Sequence, residues 1–228
     1  MRFKDVFSII GPSMIGPSSS HTAGAARIGR AARKIYGEFP EQVEIIFYGS
    51  FAETYSGHGS DLAIVAGLLD YNTDDIRIRD SVSIAETMGM SLSFQTSKKP
   101  SAHPNTVMLK LKGKGRQEDS VIGASIGGGN IEISAINDFD VKFTMNYPTL
   151  LVFHNDRPGI VADITAILGS GGVNIGCMDV DRKGRNGDAL TVIETDEAVP
   201  LALIERIRGL QDIHRICEAD LTDNEVKG

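Results

Sequence analysis

The sequence predicts an α/β protein, α+β in how its elements segregate. A mixed α/β domain spans residues 1–145, and a ferredoxin-like βαββαβ domain spans 149–222. Three observations carry this. In the first 145 residues, apolar strand-forming runs alternate with segments of helical period. Composition shifts at Asn146-Tyr147-Pro148. Six short elements then follow in the order strand, helix, strand, strand, helix, strand. A chain of 228 residues with 41% apolar content can fill one large core or two small ones.

The first part begins with a helix over Arg2–Ile10, apolar at Phe3, Val6, Phe7 and Ile10 and packed on the core. Turns at Gly11-Pro12 and Gly16-Pro17 end it, because proline cannot continue a helix. Ser18, Ser19, Ser20, His21 and Thr22 then lead into a second helix. Its small apolar face is Ala25, Ala26, Ile28, Gly29, Ala31, Ala32 and Ile35, with Arg27, Arg30, Arg33 and Lys34 at the other positions. Val43–Phe51 reads as a buried strand. A polar loop over Glu53–Asp61 follows, and Ser60 or Asp61 caps a helix through Leu62, Ile64, Val65, Leu68 and Leu69. Asp74–Met90 holds a short extended piece and a helix from about Asp80. Ser91–Thr96 and Val107–Leu111 alternate as strands around a Pro100–Asn105 loop. Strands Val121–Ile126 and Ile131–Ile136 flank Gly127-Gly128-Gly129, which fits a tight turn of positive φ better than a ligand cradle.

In the second part, Thr149–His154 is a strand and Asn155–Gly159 a turn, with Pro158 suited to a first helical turn. Ile160, Ile164, Ile167 and Leu168 share a helix face that ends at Gly169, Gly171 and Gly172. Strands Val173–Arg182 and Asp188–Glu194 flank a Lys183–Gly187 hairpin turn. Leu201, Ile204, Ile207 and Leu210 form a second helix face, and Ile213–Leu221 is the last strand. This order places Cys177 and Cys217 on the two edge strands, about 14 Å apart. That is too far for a disulfide, whose Cα atoms lie within about 7 Å. Two distant thiols cannot hold an iron–sulfur cluster either.

Charge and composition exclude several classes. A net charge of −7 argues against nucleic acid and anionic membranes as partners. No apolar run of about 18 residues is present, and Lys4 and Asp5 interrupt the first residues, unlike a signal peptide. Two cysteines point to a reducing, cytoplasmic setting.

The Ser18–Thr22 stretch is the strongest candidate for chemistry. A helix start leaves backbone N–H groups unpaired and carries partial positive charge. It therefore stabilises a carboxylate or phosphate. One cap needs one hydroxyl, and four stand here beside an imidazole, which favours a ligand site over an ordinary cap. Of the five histidines, His154 and His214 fall in strands and read as structural or exposed, while His21, His58 and His103 sit in loops at element ends. These three lack helical i, i+4 spacing and an acidic partner, so acid–base or substrate contact is expected rather than metal.

With these loops in view, the chain resembles the β subunit of two-chain, iron–sulfur-dependent L-serine dehydratase. The resemblance runs over essentially its whole length. It rests on GPSSSHTAGA at Gly16–Ala25, YGSFAETYSGHGSD at Tyr48–Asp61, SAHPNTV at Ser101–Val107 and IGGGNIEI at Ile126–Ile133. The first domain resembles a substrate-binding-type regulatory domain of some phosphoglycerate dehydrogenases, and the region from Thr149 resembles an ACT domain. The resemblance implies deamination of L-serine to pyruvate and ammonia, with a 4Fe-4S cluster held by a cysteine-rich α subunit. It implies that this chain supplies part of the pocket. His21, His58 and His103 would be catalytic, and Ser18, Ser19, Ser20, Thr22 and Asn105 would bind substrate. Asn155, Asp156, Pro158, Gly159, Asn174 and Ile175 would bind an effector, and the ACT domain would self-associate. The alternative is a non-catalytic, amino-acid-sensing regulatory protein. A three-histidine metal hydrolase is the weakest reading.

Overall fold

The computed structural model describes residues 14–16, 18–115 and 117–222. The expected helix over Arg2–Ile10 and the Gly11-Pro12 turn lie outside them. The chain divides into two compact units, one running to Asn137 and one from Asp138.

In the first unit a π-helical turn, Ser19–Ala23, opens helix α1, Gly24–Tyr36. The expected strand is shorter than its apolar run: β1 spans Gln42–Tyr48, and the chain turns at Gly49 (φ 52°) into helix α2, Gly49–Thr54. The space beside Gly49 explains the turn. A Cβ there would lie 2.5 Å from the Pro104 carbonyl oxygen, so only glycine lets the two segments meet. The helix takes the end of the expected strand and the first two residues, Glu53 and Thr54, of the expected polar loop. Helix α3, Ser60–Leu68, starts after Gly59 in left-handed conformation rather than on a side-chain cap, while Asp61 accepts from the Leu62 N–H (2.9 Å). A 3-10 turn, Ile76–Asp80, stands where an extended piece was expected and leads into α4, Ser81–Thr87.

Strands β2 (Ser91–Ser97), β3 (Thr106–Lys112), β4 (Asp119–Gly127) and β5 (Asn130–Ile136) complete the unit, in the sheet order β2-β1-β3-β4-β5. β1 and β2 are parallel, and the other pairs are antiparallel. The β4–β5 turn uses positive φ at all three glycines, 102°, 61° and 80° for Gly127, Gly128 and Gly129, in line with the turn reading.

α1 and α3 cross backbone to backbone. A Cβ at Gly29 would overlap the Ile64 carbonyl, and one at Gly67 would overlap the Ala26 carbonyl and crowd the Arg30 nitrogen. Ala25, Ala26, Ala63 and Ala66 are fully or almost fully buried with them. Small residues admit this closeness. Of the charged residues outside the small apolar face of this helix, Arg30 is the buried one. It donates to Asp70 (2.7 Å) and Asn72 (2.8 Å). A buried guanidinium needs such partners.

The second unit adds a strand that the sequence reading passed over, β6, Phe139–Phe143. It then follows the expected order: β7 (Thr149–Asn155), α5 (Ile160–Ser170), β8 (Ile175–Arg182), β9 (Asp188–Thr195), α6 (Leu201–Arg208) and β10 (Ile213–Ala219). The antiparallel sheet has the order β10-β7-β9-β8. Its core packs Leu150, Val152 and Ile193 of the sheet against Ile160, Ile164 and Leu168 of α5 and Leu203, Ile204 and Ile207 of α6. Leu201 is a correction: it is 67% exposed and outside that face. Pro158 is another, since Gly159 (φ 86°) caps α5 and Pro158 precedes the cap. Cys177 on β8 and Cys217 on β10 occupy opposite edges and form no disulfide. Among the described residues no helix is long and apolar enough to cross a membrane.

Candidate functional site

The site is built on the helix crossing. A histidine stands at or just before the start of each helix, His21 in the π-helical turn that opens α1 and His58 just before the Gly59 that caps α3. The two rings meet edge to face with centroids 4.9 Å apart. Phe51 of α2 closes on His21 in a second edge contact at 5.3 Å. Phe51 is itself fixed by Phe47, whose ring stacks on Tyr55.

Hydroxyls bracket the His21 ring. Ser18 is the cap of the π-helical turn: its Oγ accepts from the His21 N–H (3.2 Å) and lies 3.3 Å from Nδ1. Ser50 Oγ lies 3.5 Å from Nε2. Ser19 and Ser20 are half-buried in the same turn. Thr22 is buried, its side chain packs against Gly16, where a Cβ would lie 2.5 Å from its hydroxyl, and that hydroxyl has no hydrogen-bond partner among the described residues.

His103 arrives through the backbone. Asn105 donates its N–H to His103 Nδ1 (3.1 Å), and the His103 carbonyl accepts from Ser101 (2.8 Å) and Thr106 (2.6 Å). The next residue, Pro104, accepts from the Phe51 N–H (3.4 Å). Asn105 in turn accepts from the Ser125 N–H (2.9 Å), and the Ser125 hydroxyl presses on the Cα of Gly24. A continuous chain of contacts thus joins the Ser18–His21 turn, α2 and the His103–Asn105 loop. His58 is exposed, and His21 and His103 are half-buried.

Burial holds the His21 pKa below its ordinary value of 6.5, and the charge of neighbouring His58 lowers it further. A neutral imidazole at neutral pH can take a proton. The sequence reading missed Ser50 and Phe51. The available signal was Gly49 directly after an apolar, strand-forming run.

Other places are less suited to chemistry. A polar groove of about 260 Å³ on the sheet is lined by Glu44, Ser93 and Lys110 among others and holds none of the candidates. Glu44 and Lys110 there pair with each other at 2.6 Å. Among the described residues no group of three or more His, Cys, Asp or Glu side chains could hold a metal ion.

The expected effector residues fall into two sets. Asn155, Asp156, Pro158 and Gly159 precede α5, whereas Asn174 and Ile175 follow it. At 1.5 Å per residue the helix separates the sets by about 16 Å. Asn155 accepts from His214 Nε2 (2.9 Å), Asp156 pairs with Arg182 (3.0 Å), and Asn174 donates to Asp196 (2.6 Å). His154 is structural: it is buried, with Nε2 2.8 Å from the Thr191 hydroxyl.

Comparison with known proteins agrees with the motifs. The family described as serine dehydratase beta chain matches residues 3–135, and the ACT domain matches residues 148–212. A probable L-serine dehydratase beta chain of Bacillus subtilis (strain 168) is 44% identical over 216 residues, covering 95% of this chain and 98% of that one. The L-serine dehydratase beta chain of Peptoniphilus asaccharolyticus is 34% identical over 206 residues, covering 90% and 93%. D-3-phosphoglycerate dehydrogenase of a Synechocystis strain is 27% identical over 196 residues, covering 84% of this chain and 35% of that enzyme. By these matches the chain belongs to the serine dehydratase beta chain family and carries an ACT domain at its C-terminal end.

Proposed function

We propose that this chain is the β subunit of an L-serine ammonia-lyase, which converts L-serine to pyruvate and ammonia. The reaction belongs to amino-acid metabolism and supplies a three-carbon precursor for gluconeogenesis. The observation that carries the reading is the His21–His58 pair at the start of two crossed helices. β-Elimination needs a base for the Cα proton and help for the departing hydroxyl. Two imidazoles this close disfavour a shared double charge, so one stays ready to accept a proton.

Each part of the chain has a role in this reading. His21, His58 and His103 are the catalytic set. Ser18, Ser19, Ser20 and Asn105 bound the substrate side, where the helix start favours the serine carboxylate. Thr22 supports the turn from beneath. The two cysteines lie on opposite sheet edges and do not fit an iron–sulfur cluster. In this reading a 4Fe-4S cluster would be held by a cysteine-rich α subunit of a cytoplasmic heterodimer, as the family resemblance implies, and would supply Lewis-acid chemistry for the departing hydroxyl. Residues 1–145 form the substrate part and 149–222 the regulatory ACT part.

Co-expression with a cysteine-rich α chain of L-serine dehydratase tests this. The complex is expected to be brown and to deaminate serine. The isolated chain, reconstituted anaerobically, is expected to hold no cluster and show no turnover. A near-stoichiometric cluster on the isolated chain, or a complex without deaminase activity, would count against the proposal. The second outcome would leave the amino-acid sensor.

The ACT domain is proposed to self-associate and bind a small amino acid allosterically, with L-serine the first to test. The separation of its two residue sets supports this, since a second copy could bring Asn174 and Ile175 beside Asn155–Gly159. Light scattering of the full chain at micromolar concentration is expected to show a dimer, and calorimetry to show heat with serine. A monomer indifferent to serine sinks this part.

A further inference from the structure

We propose that Ser18 and Ser50 hold His21 as the Nε2-protonated neutral imidazole, making Ser50 a positioning residue for the reaction proposed above. The argument starts at Ser18. Its Oγ already accepts from the His21 backbone N–H at 3.2 Å. That bond occupies lone-pair density and leaves the Ser18 proton free to donate. The group 3.3 Å away is His21 Nδ1, which stands where it can accept that proton. A neutral imidazole with an accepting Nδ1 carries its proton on Nε2. Ser50 Oγ stands 3.5 Å from that nitrogen and receives the proton as a hydrogen bond. Ser50's own O–H is then directed away from the ring. Both bonds are long, as catalytic hydrogen bonds often are before substrate and partner arrive.

Ser50 is held as a positioning group would be. It follows Gly49, whose positive φ and missing Cβ seat the start of α2 on the Pro104 carbonyl. Phe51 next to it donates to the same carbonyl and packs its ring edge against His21. The loop bearing His103 therefore sets where Ser50 stands against His21. His58 closes another side of the ring, so rotation of the imidazole is restricted from several directions.

The tautomer can be read directly. Long-range ¹H–¹⁵N correlation spectra of the full chain, at a pH where His21 is neutral, assign which ring nitrogen bears the proton. Wild type is expected to show Nε2–H. Ser18→Ala and Ser50→Ala are each expected to raise the Nδ1–H population, while Ser50→Thr, which keeps the hydroxyl, retains the wild-type pattern. An Nδ1–H wild type, or an unchanged pattern in Ser50→Ala, overturns the proposal whatever the activity. In the complex with the α subunit, Ser50→Ala is expected to lower kcat about tenfold with KM little changed, and Ser50→Thr to restore most of it. Full activity of Ser50→Ala overturns the positioning role. If the wild-type complex deaminates no serine, the proposed function fails, while the spectra still decide the tautomer.

Discussion

His21→Ala in the assembled two-chain enzyme is expected to lower kcat/KM by about 10²-fold or more and to leave the melting temperature almost unchanged. The geometry separates the two effects. The cap of the first helical turn is the Ser18 hydroxyl accepting from the residue 21 backbone N–H, and alanine retains that donor. The stability cost is then confined to ring contacts with Phe51 and His58 on a half-buried side chain, about 1 kcal/mol. The catalytic cost is larger, because loss of a general acid or base removes about 10²–10⁴ in rate, roughly 3–5 kcal/mol. The pH profile gives an independent check. Burial and His58 lower the His21 pKa below 6.5, so a base at this position stays neutral as pH falls through that value. The acid limb of kcat/KM, if His21 is the base, is expected below the ordinary histidine range. Near-normal turnover by His21→Ala, with the partner present and its cluster content verified, would mean that the Ser18–Thr22 turn is structural.

Local signals in the sequence accounted for much of the fold. From β7 onward the second unit was readable element by element, because most strands alternate or are wholly apolar and each helix has a glycine near its end. The same local logic found the Ser18–Thr22 helix start and the loop before α3. It failed where a distant residue decides. The burial of Arg30 was not legible, because its partners, Asp70 and Asn72, lie 40 and 42 residues further along the chain. The strand through Phe51 was ended early by a carbonyl at Pro104 that no pattern near Gly49 announces. That misplacement also hid Ser50. β6 was passed over although Phe139, Val141 and Phe143 are buried and alternate with exposed Asp140 and Lys142, a pattern only five residues long. The loops bearing His21, His58 and His103 could be picked out singly. That His21 and His58 touch depends on how α1 crosses α3, and helix period does not encode a crossing.

That crossing carries the largest expected effect on stability. Gly67→Ala places a methyl group into the Ala26 carbonyl and against the Arg30 nitrogen, both backbone atoms of α1 that no side-chain rotation can clear. Ordinary overpacking costs about 1–3 kcal/mol, and a clash with rigid backbone falls at or above the upper end, about 3 kcal/mol or more. Relief requires the helices to part, and Arg30 sits at the contact, so its bonds to Asp70 and Asn72 are strained with it. Gly57→Ala is the control in the same unit. Its nearest neighbour, the Thr54 carbonyl, lies at an ordinary 3.7 Å, and its backbone needs no positive φ. Amide hydrogen exchange in α1 and α3 of the full chain is expected to speed up strongly in Gly67→Ala and little in Gly57→Ala. The same displacement has a chemical readout, because His21 and His58 stand just before the two helices. Parting them exposes His21 and weakens the His58 field, so its pKa rises toward 6.5, which an NMR titration follows. Unchanged protection together with an unchanged His21 titration in Gly67→Ala would show that the glycine contact does not set the spacing of the two histidines.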